Sequence, residues 1–115
     1  MTVLSNNKPY IAITMGDPAG VGPEVTAKAL MEGQVYDRCR PFVIGNADAM
    51  SDALGSVAKI NVVHSLDDIR GDPDTVEVLD LENLDYHTIR QGELSESAGR
   101  AAVEWVLRAG ELATA

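Results

Sequence analysis

Cysteine is nearly absent from the sequence, with Cys39 standing alone. A single thiol closes no internal disulfide. No N-terminal segment combines a basic region, an apolar run and a small-residue cleavage site, so a reducing, cytoplasmic setting is expected. Aromatic residues are also scarce, at 4% of the chain, which leaves aliphatic side chains to dominate any core. No apolar run approaches the roughly 20 residues needed to cross a bilayer, and a membrane protein is not expected. Basic residues are outnumbered: nine Lys and Arg face eighteen Asp and Glu, for a formal net charge of −9. With no basic cluster to offset that charge, a nucleic-acid partner is not expected either.

What remains is an ordinary globular composition, 45% hydrophobic and 23% charged, in 115 residues. That length suits one small domain with a real core. Residues 1–9 are expected to form a disordered N-terminus, and residues 10–115 an α/β unit. Tyr10 to Met15 reads as a short buried strand, Pro23 to Met31 as a helix, Pro41 to Ile44 as a strand, and Ala47 to Leu54 as a helix capped by Asn46. Ile60 to His64 and Val76 to Leu79 read as further strands, with one short helical turn over Ser65 to Ile69. Such alternation predicts βαβ units and a mainly parallel sheet with flanking helices. Leu81 to Glu93 is polar and unpatterned, an extended loop with room for a little strand.

A helix follows from Ser95 as N-cap, with Ala98, Ala101, Ala102, Trp105, Ala109 and Leu112 making one apolar face. Gly99 within it points to a close backbone approach. Past Ala113 the chain shows no Gly, Asn or Pro stop signal, so the unit is expected to be truncated within or after this helix.

The most informative stretch is Thr14 to Glu24, "TMGDPAGVGPE". Pro23 suits the first turn of a helix, because its fixed φ is already appropriate and its missing N–H has no intrahelical acceptor. Gly22 is then the expected N-cap, while Gly16, Gly20 and Gly22 permit torsions or close approaches that a Cβ blocks. Asp17, before Pro18, favours a turn and can accept hydrogen bonds from nearby backbone N–H groups. Glu24 complements the helix dipole. In an open parallel sheet this strand-to-helix connection lies where ligand crevices form. Two readings stay open, a purely structural turn and a ligand-facing one. The glycines fall as G-x-x-x-G-x-G, which is neither the phosphate-binding P-loop nor the dinucleotide fingerprint, and Lys28 lies too far into the helix.

"AITMGDPAGVGPE" resembles the N-terminal signature of the 4-hydroxythreonine-4-phosphate dehydrogenase family. "GELSESAGRAAVEWVLRAGELA" resembles a later segment of that family, and "PFVIGN" lies at a suitable place between them. "GDPAGVGPE" is also similar, more distantly, to the G-D-G-I-G-P-E turn of isocitrate and isopropylmalate dehydrogenases. The resemblance implies the N-terminal part of a two-domain fold of that kind, with Gly16, Asp17, Gly20 and Gly22 lining a cleft. It implies an NAD-dependent oxidation, assisted by a divalent metal (Zn, Mg or Co), of a phosphorylated hydroxy acid such as 4-phosphohydroxy-L-threonine. In the pyridoxal phosphate pathway the product then decarboxylates. Related branches act on 4-phospho-D-threonate, 4-phospho-D-erythronate or an aromatic cis-diol acid. Family enzymes are homodimers. Their substrate-binding His-Thr pair, metal-binding histidines and basic substrate contacts correspond to no motif here, so the 115 residues alone are expected to be inactive. A reading of another class is a small non-enzymatic anion-binding module.

The remaining reactive residues carry weaker signals. His64, at a strand end, and His87, in the polar loop, sit in no metal motif. Asp67 and Asp68 are adjacent and read as charges on a short helical turn. Cys39 lies between Arg38 and Arg40, which would lower its pKa if they were close, but no nucleophile context surrounds it. Ser95 and Ser97 read as capping residues.

Overall fold

The computed structural model describes residues 8–114. Most of the expected N-terminal segment therefore lies outside the described residues, as does the terminal Ala115. Lys8 and Pro9, at the end of that segment, join the fold: Arg40 donates through Nε to the Lys8 carbonyl (2.8 Å) and through its backbone N–H to the Pro9 carbonyl (2.7 Å).

Four strands form one sheet: β1 (Tyr10–Thr14), β2 (Arg40–Gly45), β3 (Lys59–Val63) and β4 (Thr75–Asp80). Their spatial order is β1-β2-β4-β3, and every pairing is parallel. The helices are α1 (Gly22–Leu30), α2 (Gln34–Arg38), α3 (Ala47–Leu54) and α4 (Glu96–Thr114), with 3-10 turns over Leu66–Asp68 and Tyr86–Thr88. The expected α/β class is the observed one. The short helix α2 was not anticipated, because five residues offer too little periodicity to register. The loop after β4 holds a 3-10 turn where a little strand was allowed for.

Strand order and helix placement follow from the handedness of parallel crossovers. The chain moves across the sheet from β1 through β2 to β3, with α1 and α3 packed against each other on one face. It then steps back to β4, and a right-handed crossover in the reverse direction requires the opposite face. There Leu66 of the β3–β4 connection meets Ala109 and Leu112 of α4, beside Ala12 and Phe42 of the sheet. The central strand β2 is buried on both faces, which explains its unbroken Pro-Phe-Val-Ile run.

The periodicity of α4 works as expected on its inner side, where Ala98, Ala101 and Trp105 are fully buried. Trp105 donates from Nε1 to Asn83 Oδ1 at 3.1 Å, which satisfies its polar atom inside the core. The expectation for Gly99 fails. It faces open space on the outer side of α4, with nothing near the position of a Cβ. At the opposite end of the sheet, the buried Glu77 carboxylate accepts from the Arg70 and Gly71 backbone N–H groups (2.8 and 2.9 Å) and from Asn61 Nδ2 (3.3 Å). Three donors make this carboxylate tolerable in the interior.

The N-cap of α1 is Val21, with no side-chain cap, and Gly22 is the first helical residue. The assignment of Gly22 as N-cap is thus off by one position. Glycine is required there for a steric reason: a Cβ would collide with the Met15 carbonyl oxygen, and Gly16 Cα lies 3.5 Å away. We predict that Gly22→Ala destabilises the chain by more than about 2 kcal/mol, through this overpacking against backbone. Gly33→Ala, with open space and a helical φ of −55°, is expected to be neutral or stabilising by about 0.4–1 kcal/mol. Urea unfolding of the two variants checks the contrast.

Candidate functional site

The four strands end together. Thr14 pairs with Ile44, Ile44 with Leu79, and Val63 with Leu79, so the residues that follow them emerge along one carboxyl edge. The segment Met15 to Val21, the Asn46 cap, Asp80 and His64 all belong to this edge. In open parallel sheets it is the edge on which ligands bind.

The Gly-rich turn is built from its own backbone. Met15 is buried and donates its N–H to the Ile44 carbonyl at 3.1 Å, extending the ladder by one residue. Gly16 then turns with φ +79°, a torsion that other residues seldom adopt. Asp17 behaves as the expected local acceptor: its Oδ1 takes the Ala19 N–H at 2.9 Å, and its carbonyl takes the Gly20 N–H at 3.0 Å. Pro18 and Ala19 are buried, while Asp17 and Gly20 are exposed. Gly20 differs from its two neighbours in the motif: it has neither the positive φ of Gly16 nor the steric block at Gly22, and a Cβ there would make only ordinary contact with Asp17.

Two openings flank this edge. One, about 240 Å³, lies between α1 and α3 and is lined by Gly20, Pro23, Glu24, Asp52, Tyr86 and Gln91 among others. Of the proposed cleft residues, Gly20 alone lines it; Gly16, Asp17 and Gly22 hold the turn's shape. The other, about 520 Å³ and open to solvent, lies over the ends of β2 and β4, with Asn46, Asp48, Asp80, Glu82, Asp85 and Tyr86 in its walls. Among the described residues, no Lys or Arg lines either opening.

The floor of the larger opening is fixed by two polar side chains. Asn46 caps α3 as expected, accepting from the Ala49 N–H (2.9 Å), and donates through Nδ2 to the Leu84 carbonyl (3.2 Å). Asp80 accepts from the Ala47 N–H (2.9 Å) and the Glu82 N–H (2.8 Å). Sequence reasoning missed Asp80, though an acid directly after the strand run Val76 to Leu79 was a usable signal.

His64 and His87 stand on different elements, and both are exposed. The Nε2 of His87 lies 3.6 Å from Asp48. Among the described residues no three His, Cys, Asp or Glu side chains converge to hold a metal ion. Asp67 and Asp68 charge the Leu66–Asp68 turn, and Asp68 also accepts from the His64 N–H at 3.4 Å. The flanking arginines do not activate Cys39. Burial pushes its thiol pKa up, Lys8 only partly opposes this, and the thiol donates to the Val35 carbonyl. Ser95 caps α4 through the Ala98 N–H (3.1 Å), and Ser97 lies beside it.

A four-stranded parallel sheet with flanking helices and a glycine-rich strand-to-helix turn at its carboxyl edge places the chain in the α/β class. Known proteins narrow this further. The chain is 39% identical over 111 residues to a Clostridium botulinum protein provisionally named D-threonate 4-phosphate dehydrogenase, with 94% of this chain and 33% of that protein aligned. A similarly named Halalkalibacterium halodurans protein is 38% identical over the same shares. Among solved structures, a 4-hydroxythreonine-4-phosphate dehydrogenase from Burkholderia phymatum superposes with a TM-score of 0.86 at 40% identity, covering 93% of this chain and 33% of that one. The Klebsiella pneumoniae enzyme of that name gives 0.81 at 33% identity, with 93% and 34% covered. No family model matches the chain. Over nearly its whole length the chain is a relative of the 4-hydroxythreonine-4-phosphate dehydrogenases, and it spans about a third of the length of the relatives it matches.

The local geometry makes Asp17 a test of the turn. Asp17→Ala is expected to cost about 1 kcal/mol by removing the acceptor for Ala19, whereas Asp17→Asn, which keeps a side-chain oxygen, retains most of the stability. Thermal unfolding of both variants distinguishes this capping role from an effect of charge.

Proposed function

We propose that the chain is the N-terminal part of a dehydrogenase that oxidises a phosphorylated hydroxy acid, and that the Gly-rich turn forms one wall of its cleft. The observation that carries this reading is the reach of the similarity: it spans 94% of the chain, from the β1 region through α4, at 39% identity. The relatives' names support 4-phosphohydroxy-L-threonine or 4-phospho-D-threonate as substrate; a related dehydrogenase of 4-phospho-D-erythronate or of an aromatic cis-diol acid is the alternative. NAD as hydride acceptor, a divalent metal, decarboxylation of the product and a homodimeric, cytoplasmic enzyme complete the proposal.

The described residues do not by themselves fit either a metal or a nicotinamide dinucleotide. No three ligating side chains converge, and the glycine spacing is not that of a dinucleotide turn. The proposal therefore gives these residues a supporting part. They shape the cleft wall, present the first turn of α1 toward the crevice, and exclude water behind Met15 and Pro18. The acidic lining of the larger opening also weighs against an independent anion-binding module, because a phosphate would meet carboxylates there without a compensating Lys or Arg.

A chimera tests the reading. The matching third of the Burkholderia phymatum enzyme is replaced by this chain, and NADH formation is followed with each phosphorylated substrate in the presence of Zn, Mg or Co. Turnover of at least one substrate, lost on chelation, is the expected result, with no NADH formed by the 115-residue chain alone. A folded chimera that turns over none of them would sink the assignment.

A further inference from the structure

The segment Asp85–Gly92 runs from the β4 end toward α4 and crosses the Gly-rich turn. Two contacts join them, and a third ties the segment to itself. Gln91 donates from Nε2 to the Pro18 carbonyl at 3.0 Å, across 73 residues of sequence, and to the Tyr86 hydroxyl at 3.2 Å. The Gly92 N–H donates to the Ala19 carbonyl at 2.7 Å. Tyr86 in turn stands beside Asp52 of α3. Burial raises its phenol pKa, and the Asp52 carboxylate raises it further, so the hydroxyl stays protonated and able to donate. The same tyrosine lines both openings of the carboxyl edge and forms the partition between them.

We propose that Asp85–Gly92 is a strap latched to the Gly-rich turn by Gln91, and that strap and turn open as one cooperative unit. The inference stands on these contacts and does not depend on which substrate the longer protein uses. Its physical basis is an imbalance in what holds the segment down. The strap has only a 3-10 turn of its own, capped by Asp85 through the His87 N–H; His87, Thr88, Arg90, Gln91 and Gly92 are exposed, and Tyr86 and Ile89 are only partly buried. Beyond the partly buried Tyr86 and Ile89, its closed position rests on the hydrogen bonds to the Pro18 and Ala19 carbonyls and on Tyr86 standing beside Asp52 of α3. Segments held this way occupy the low-stability end of a fold and open ahead of the core. When the latch releases, the partition at Tyr86 lifts with it, and the two openings merge along the edge. Gln91 is in this sense a positioning residue for the Gly-rich turn.

Native-state hydrogen exchange by NMR on the 115-residue chain tests the latch. In Gln91→Ala, exchange of the Ala19, Gly20 and Gly92 amides is expected to accelerate together by roughly three- to tenfold, the range set by losing one or two modest hydrogen bonds. The amides of β2 should keep their rates. Tyr86→Phe, which removes only the hydroxyl, should give the same pattern at smaller amplitude, and Arg90→Ala, an exposed neighbour, should leave the rates unchanged. Acceleration at Gly92 without Ala19 and Gly20 would overturn the proposal, because strap and turn would then open separately. An equal rise that included β2 would overturn it as well, since the side chain would be acting on global stability.

Discussion

The backbone of Gly22 lies against the backbone of Met15, and this close approach is the constraint on which the carboxyl edge depends. It brings the start of α1 back onto the end of β1, seven residues after Met15, and leaves no room for a side chain. Met15 is thereby held in the core, Gly16 must turn with a positive φ, and Asp17 is left facing solvent with its carboxylate free to cap the turn. The side chains of Pro18 and Ala19 close the bottom of the turn. Most of what "GDPAGVGPE" does is in this sense steric. Its glycines and prolines specify a backbone path, and the path determines what the edge can present to a ligand.

The rest of the edge is assembled by polar side chains acting at the ends of strands. Asn46 and Asp80 satisfy the first N–H groups of α3 and tie them to the loop after β4. The loop then passes Asn83, which accepts from Trp105 and donates to Glu104, so that α4 is joined to the edge as well as to the sheet. Each of these groups would be costly to bury alone, and each is paired. The result is an edge whose strand ends and helix starts are tied together by paired polar groups, with the strap fastened across it at Pro18 and Ala19. The acidic walls of the larger opening, with Asp48, Asp80, Glu82 and Asp85, give this edge a negative field of its own. The relatives it matches are about three times as long.

Much of the fold was legible because local rules and burial agreed. The runs Tyr10–Thr14, Arg40–Gly45 and Thr75–Asp80 are strongly apolar strands between turn signals, and Asn46 and Ser95 are ordinary capping residues at the starts of strong helices. Where local rules carried no signal, reading failed. Helix α2 is too short for periodicity. Gly99 looked like a packing contact because a glycine in a helix usually needs a reason, yet it lies on the outer face, beside exposed Val103. The pKa of Cys39 was judged from its sequence neighbours, while its environment is set by Val35 and Lys8, brought near by folding.

Sequence alone determined the α/β class, the Gly-rich turn as a strand-to-helix connection, and the kinship with the 4-hydroxythreonine-4-phosphate dehydrogenases. The first two rest on periodicity and capping, which act over a few residues, and the kinship rests on the resemblance of whole stretches such as "AITMGDPAGVGPE" to that family. Only the tertiary structure decided the strand order β1-β2-β4-β3, the face on which α4 packs, the role of Asp80, and the latch between Gln91 and Pro18. Those depend on contacts between residues tens of positions apart, and such contacts are settled by the packing of whole elements rather than by any local preference.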